Sequence, residues 1–148
     1  MSPPAVPTSL LSVAVFVDTA AFLARADAKD PHHRTAVETF KGLREAGYPR
    51  VVTRPTIWEA YTRVRYDLGY PEALEMLEFI ERELQVIEID LQDDAAARTF
   101  LALYSWAKLS FVDALNFAAM QRAGAKTAFT YDVNDYTMAG FEVVPGPF

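Results

Sequence analysis

Val13 to Val17 (VAVFV) is an apolar run rich in β-branched residues and stopped by Asp18, the pattern of a strand buried on both faces. Three similar runs follow at Val51 to Thr53, Val86 to Ile89 and Thr127 to Thr130, with Phe141 to Val144 as a weaker last one. The segments between them have helical spacing. Ala36, Val37, Phe40 and Leu43 share one face, as do Ile57, Ala60, Tyr61 and Val64. Leu74, Leu77, Phe79 and Ile80 predict another helix, and Ala97, Leu101 and Tyr104 one more. Leu115 and Phe117 to Met120 make a last helix apolar nearly all round, hence deeply packed. Apolar strands alternating with helices predict an α/β domain, with a mostly parallel sheet of about five strands covered by helices on both faces.

No repeat, low-complexity tract or linker divides the chain. Its 148 residues predict one domain over residues 13–148, preceded by a flexible, Pro-rich lead-in over residues 1–12. The lead-in lacks a basic start and a long apolar stretch, so it is not read as a signal peptide. No apolar run reaches the ~20 residues of a membrane helix. Cysteine is absent, which removes disulfides and thiolate chemistry and fits a reducing, cytoplasmic setting. A net charge of -6 argues against a chain that coats nucleic acid nonspecifically, and leaves a local basic patch open.

Open parallel sheets bind ligands beyond the carboxyl ends of their strands, and carboxylates stand there. Strand one ends in Asp18, strand two runs into a helix carrying Glu59, the buried late helix opens with Asp113, and the next strand ends in Asp132. Singly, each has a local explanation. Asp18 can cap a helix, Thr56 with Glu59 and Ser110 with Asp113 spell capping boxes, and Asp132 can form an Asx turn. Capping does not explain four carboxylates on one edge. Like charges that share a site raise a pKa or recruit a counter-ion, and Mg²⁺ or Mn²⁺ suits such a set of oxygen ligands. Ions held this way activate water against a phosphodiester. Asp18, Glu59, Asp113 and Asp132 are thus the candidate metal-holding and catalytic acids, with the Thr19 and Ser110 hydroxyls orienting them.

Phe129 to Tyr136 (FTYDVNDY) carries two carboxylates three residues apart. A calcium loop is excluded, because Tyr136 and Thr137 stand where the fifth and sixth loop positions, counted from Asp132, need an oxygen ligand and a Gly. Asp132 is expected to face the metal, since it follows its strand as Asp18 follows the first. A turn is expected to carry Asp135 away from the edge, to a supporting or helix-capping role. Which of the two is the fourth acid stays open.

In these residues the chain resembles PIN-domain ribonucleases, and most of all the VapC-type toxins of toxin–antitoxin pairs. VFVDTAAFLA is similar to the family's first strand with its leading acid, here Asp18, and VTRPTIWEAYT to the second, where a Thr or Ser precedes a helical Glu by six residues, here Thr53 and Glu59. LSFVDALNFAAMQRAG resembles the block in which a Ser stands three residues before an Asp that opens an apolar helix, here Ser110 and Asp113. AFTYDVNDYTMAGFEVVP resembles the closing block with the fourth acid. Two departures stand out: YSWAKLS offers Ala107 and Lys108 where the family often has an acid, and the closing turn carries one residue more than usual before Tyr136. The resemblance runs from Val13 to Pro145. It implies a single PIN-like domain acting as a Mg²⁺- or Mn²⁺-dependent endoribonuclease. It also implies a homodimer, and a small antitoxin protein bound in an apolar groove of the early helices with an Arg reaching the acids.

Arg25, Arg54 and Arg63 are the candidate RNA contacts, since the guanidinium fork matches phosphate, although Glu59 with Arg63 also reads as an i, i+4 pair. His32 and His33 are expected in a surface loop, and Trp58 and Trp106 in helix or partner packing. Two other classes compete. VFVDTAA is also similar to aspartate-based phosphatases, which want a second acid where Ala20 stands. A receiver-like signalling module wants paired acids after strand one and a Lys after the last core strand, whereas Lys126 precedes its strand. A PIN-like fold that only binds, without catalysis, is the remaining alternative.

Overall fold

The computed structural model describes residues 8–145. A 3-10 helix, Thr8–Val13, leads into β1 (Val15–Val17), α1 (Thr19–Ala26), α2 (His33–Glu45), β2 (Arg50–Thr53), α3 (Arg54–Leu68) and α4 (Tyr70–Glu83). Then follow β3 (Gln85–Ile87), α5 (Leu91–Leu103), α6 (Phe111–Ala123), β4 (Thr127–Phe129), α7 (Val133–Met138) and β5 (Glu142–Val144). Residues 1–7 of the expected lead-in lie outside the described residues. The rest of it coils ahead of β1, with Leu11 packed on the core, and this shortens the strand expected from Val13.

The central strands read as unbroken apolar runs because each feeds two cores. Val15 and Val17 of β1, Val52 of β2 and Phe129 of β4 join one cluster with residues of α1 to α4. Phe16, Val51 and Ala128 point the other way, against Phe117, Ala119 and Met120 of α6 and Tyr136 of α7. Period-two alternation thus leaves no polar face, as expected of a sheet covered on both sides.

All strand pairs are parallel, and the strand order is β3-β2-β1-β4-β5. The chain builds outward from β1 to β3, crosses back, and adds β4 on the other flank of β1. This makes the β1–β4 boundary the switch point, the place where an open parallel sheet forms its binding crevice.

Local chemistry sets the helix starts. Ser110 and Asp113 form the expected capping box, and Asp90 with Asp93 forms a second one that sequence reasoning missed. The box expected at Thr56 and Glu59 is absent. Pro55 suits a first helical turn, so α3 begins at Arg54 and places Thr56 inside the helix, buried and bonded to Asn116. Trp58 and Trp106 are 63% and 72% exposed, which places them on the surface rather than inside the helix packing, where partner packing was the other expectation. Among the described residues no helix is long and apolar enough to cross a membrane.

A single residue, Gly69, joins α3 to α4 with φ 101° and ψ 173°, a region essentially reserved for glycine. The space around it is ordinary, with Pro71 Cδ 3.8 Å from an added Cβ, so a side chain there would strain the backbone rather than clash. Gly69→Ala should therefore lower stability by roughly 1–3 kcal/mol, read as an earlier urea midpoint at unchanged slope.

Candidate metal centre and active site

At the switch point a cavity of about 350 Å³ is lined by Asp18, Thr19, Ala20, Glu59, Arg63, Ser110, Asp113 and Asp132. All four acids singled out from the sequence therefore face one space. Each arrives on a different element, and local bonding explains how each is held.

Asp18 follows β1 in extended conformation at the start of α1, but its carboxylate does not cap the helix. Its backbone N–H donates to the Phe129 carbonyl at 2.9 Å, and its Oδ2 accepts from Thr130 Oγ1 at 2.8 Å, so β4 fixes both backbone and side chain. The residue is 5% exposed, and Oδ1 is buried without a protein partner. Burial pushes its pKa up to about 6, against the bonds from Thr130 and the Thr19 backbone. Thr19 Oγ1 is likewise buried without a partner.

Asp113 stands in the first turn of α6, where Ser110 Oγ accepts its N–H at 3.0 Å. Burial raises its pKa to about 7, and the charges of Asp18 and Glu59 add to the rise. Asp132 is held through its backbone, whose N–H donates to Thr130 Oγ1 at 2.9 Å. One hydroxyl thus ties Asp18 to Asp132. Burial lifts the Asp132 pKa to about 6, followed in effect by Asp135 and then Asp113.

The turn does not carry Asp135 away. Because α7 starts directly after Asp132, Asp135 stays in its first turn, and carboxylate oxygens of Asp113, Asp132 and Asp135 lie within 4.8 Å of one another. This is the tightest acid group among the described residues, and it bears on the open choice of fourth acid: both candidates stand beside Asp113.

Of the three arginines, Arg63 alone lines this cavity, and it makes no ion pair among the described residues, not even with Glu59. Arg25 is held by both oxygens of Glu75 at 2.9 and 3.0 Å and lies over the Phe79 ring. Arg54 pairs with Glu88 at 2.8 Å. Both lie outside the acid cavity.

Sequence reasoning missed the polar scaffold behind the acids. Asn116, buried in α6, accepts from the hydroxyls of Thr53 and Thr56 and donates to the Tyr136 hydroxyl at 3.0 Å. Tyr136 is buried beside Asp18, which with burial raises its pKa and keeps it protonated. The signal was present, since a lone Asn in an otherwise apolar helix must have a partner.

A hard divalent cation fits these residues. The donors are carboxylate oxygens, one buried carboxylate oxygen has no protein partner, and three acids have pKa values raised to about 6 to 7 where only one arginine lines the cavity. The three raised acids bind protons more tightly folded than unfolded, so the stability they contribute is present below the ordinary value of 3.8 and is lost as pH rises through about 6 to 7. EDTA-treated protein should melt on the order of 5 °C lower at pH 8 than at pH 5. Added Mg²⁺ should raise the melting temperature more at pH 8, and equal melting at the two pH values would contradict the assignment.

Residues 15–139 match the PIN domain family. VapC20 of Mycobacterium tuberculosis (strain ATCC 25618 / H37Rv), named as a 23S rRNA-specific endonuclease, is 30% identical over 134 residues, covering 88% of this chain and 98% of its own. Its crystal structure, described as that of a Sarcin-Ricin loop cleaving toxin, superposes with a TM-score of 0.75 at 26% identity over 86% of this chain and 95% of that one. DNA-bound VapBC from Salmonella typhimurium shares the fold, with a TM-score of 0.66 at 17% identity over 88% and 96% of the two chains. By sequence and by fold, this chain belongs to the PIN domain family, among its VapC-type members.

Proposed function

We propose that the chain is a metal-dependent endoribonuclease and the toxin of a toxin–antitoxin pair. The observation that carries this reading is the convergence of Asp18, Glu59, Asp113 and Asp132 on one cavity at the sheet's switch point. The relative named as an rRNA endonuclease, similar over nearly its whole length, supports it.

Asp18, Glu59, Asp113 and Asp132 would hold Mg²⁺ or Mn²⁺. Such an ion supplies the charge that lets neighbouring carboxylates ionise together, and it polarises the phosphodiester and the attacking water. The remaining residues position. Thr130 fixes Asp18 against β4, Ser110 fixes Asp113 in the first turn of α6, and Asp135 sits against both Asp113 and Asp132. Arg63 offers its guanidinium to a phosphate at the cavity wall.

The partners follow the same reading. A small antitoxin would bind along the early helices, where a cavity of about 250 Å³ sets Val37, Phe40 and Phe79 among Arg25, Lys41, Arg44, Arg50, Arg82 and Glu83, and would reach the acids with an Arg. A homodimer completes the assembly implied by the VapC resemblance. The phosphatase and receiver alternatives lose support, because Ala20 lines the acid cavity in place of a second acid and Lys126 precedes β4 at the far end of that strand.

Asp113→Asn should abolish cleavage of RNA. It should also leave the metal-free protein at least as heat-stable at pH 8, since Asn keeps the capping role and removes one charge from a repulsive group. Full activity of this variant, or of the wild type in excess EDTA, would refute the metal mechanism. Asp132→Ala should cut cleavage by about 100-fold. Asp135→Ala should cut it by roughly tenfold, because its carboxyl braces the other two; no loss in either would misplace the closing acid.

A further inference from the structure

Tyr131 directly precedes Asp132, and its ring lies parallel to the His32 imidazole, with centroids 4.2 Å apart and planes at 11°. The stack is held from several sides. The Tyr131 hydroxyl pairs with Thr35 Oγ1 at 2.7 Å, and the ring stands edge-on to Phe129 at 6.1 Å. The His32 backbone N–H donates to the Asp30 carboxylate at 2.7 Å, while its carbonyl accepts from Thr35 Oγ1 at 3.0 Å and from the Ala36 N–H at 2.9 Å. His32, with one face of its ring stacked on Tyr131, is nevertheless an exposed residue.

This arrangement is not needed to fill the core, where Phe40 and Phe129 already pack at 4.7 Å. It does adjoin the acid site. Tyr131 is followed directly by Asp132, which lines the acid cavity, and the loop that leads to His32 contributes Asp27 and Asp30 to a small neighbouring cavity shared with Asp67 and Arg63. An RNA strand crossing the acids meets little positive charge there, so its affinity must come partly from its bases. A pre-ordered, exposed aromatic face beside a phosphodiester-cleaving site is the feature on which an unpaired base stacks.

We propose that His32, backed by Tyr131, forms a stacking subsite for one unpaired nucleotide next to the cleaved phosphodiester. The proposal rests on the ribonuclease reading above, and it names His32 as a positioning residue outside the acid machinery. The probe is a short single-stranded RNA with 2-aminopurine replacing one base at successive positions, bound to Asp113→Asn protein so that no cleavage occurs. The fluorescence of one position should be quenched, and adding His32→Ala should remove that quenching.

In cleavage of total ribosomal RNA by otherwise wild-type protein, His32→Ala should raise KM about tenfold with kcat nearly unchanged, and His32→Phe should restore KM. Three results would overturn the subsite: no position quenched, an unchanged KM in His32→Ala, or weakened antitoxin inhibition with normal RNA kinetics. Those results leave the ribonuclease reading intact if the wild type cleaves. Absence of wild-type cleavage with either Mg²⁺ or Mn²⁺ would remove both.

Discussion

Everything at the carboxyl edge is arranged around a carboxylate that the fold has taken out of water. Asp18 sits where β1 and β4 both end, bonded through its backbone to Phe129 of β4 and through its side chain to Thr130 just beyond it. An isolated charge there would be expensive, and the chain relieves that cost only in part, leaving one oxygen unbonded. On the proposed reading, the unrelieved part is what a bound cation would meet.

The distribution of positive charge reinforces this. Arg25 is committed to Glu75, Arg44 and Arg50 to Glu83, Arg54 to Glu88 and Arg122 to the buried Asp93. These pairs knit helices and loops together across the sequence, and the basic residues gathered at one cavity, Arg25, Lys41, Arg44, Arg50 and Arg82, lie away from the acids. Arg63 is the exception at the acid cavity. If the chain cleaves RNA as proposed, such an arrangement favours recognition through shape and bases over nonspecific attraction.

The fold was legible because strands buried on both faces have no polar phase to confuse with helix, and because Ser110 with Asp113 states a helix start unambiguously. The acids were legible from their placement at element ends. What could not be read was geometry within a turn. One residue more before Tyr136 reads as distance from the edge, yet the helix that begins after Asp132 folds that residue back and keeps Asp135 in the group. Thr56 illustrates the same limit, since its spacing to Glu59 matches a capping box while its hydroxyl serves Asn116, sixty residues away. Spacing reports local roles, and a buried hydroxyl takes whichever partner the tertiary structure supplies.

The strand order has a temporal consequence as well. Asp18 belongs to the first strand made and Asp132 follows the fourth, which docks on β1 only after the crossover through α5 and α6. During synthesis the earlier acids are therefore present without the closing ones, and a chain halted anywhere before residue 132 has no complete site. The acid group is complete only when β4 pairs with β1, so the whole order of strands stands between the chain and the site proposed for it.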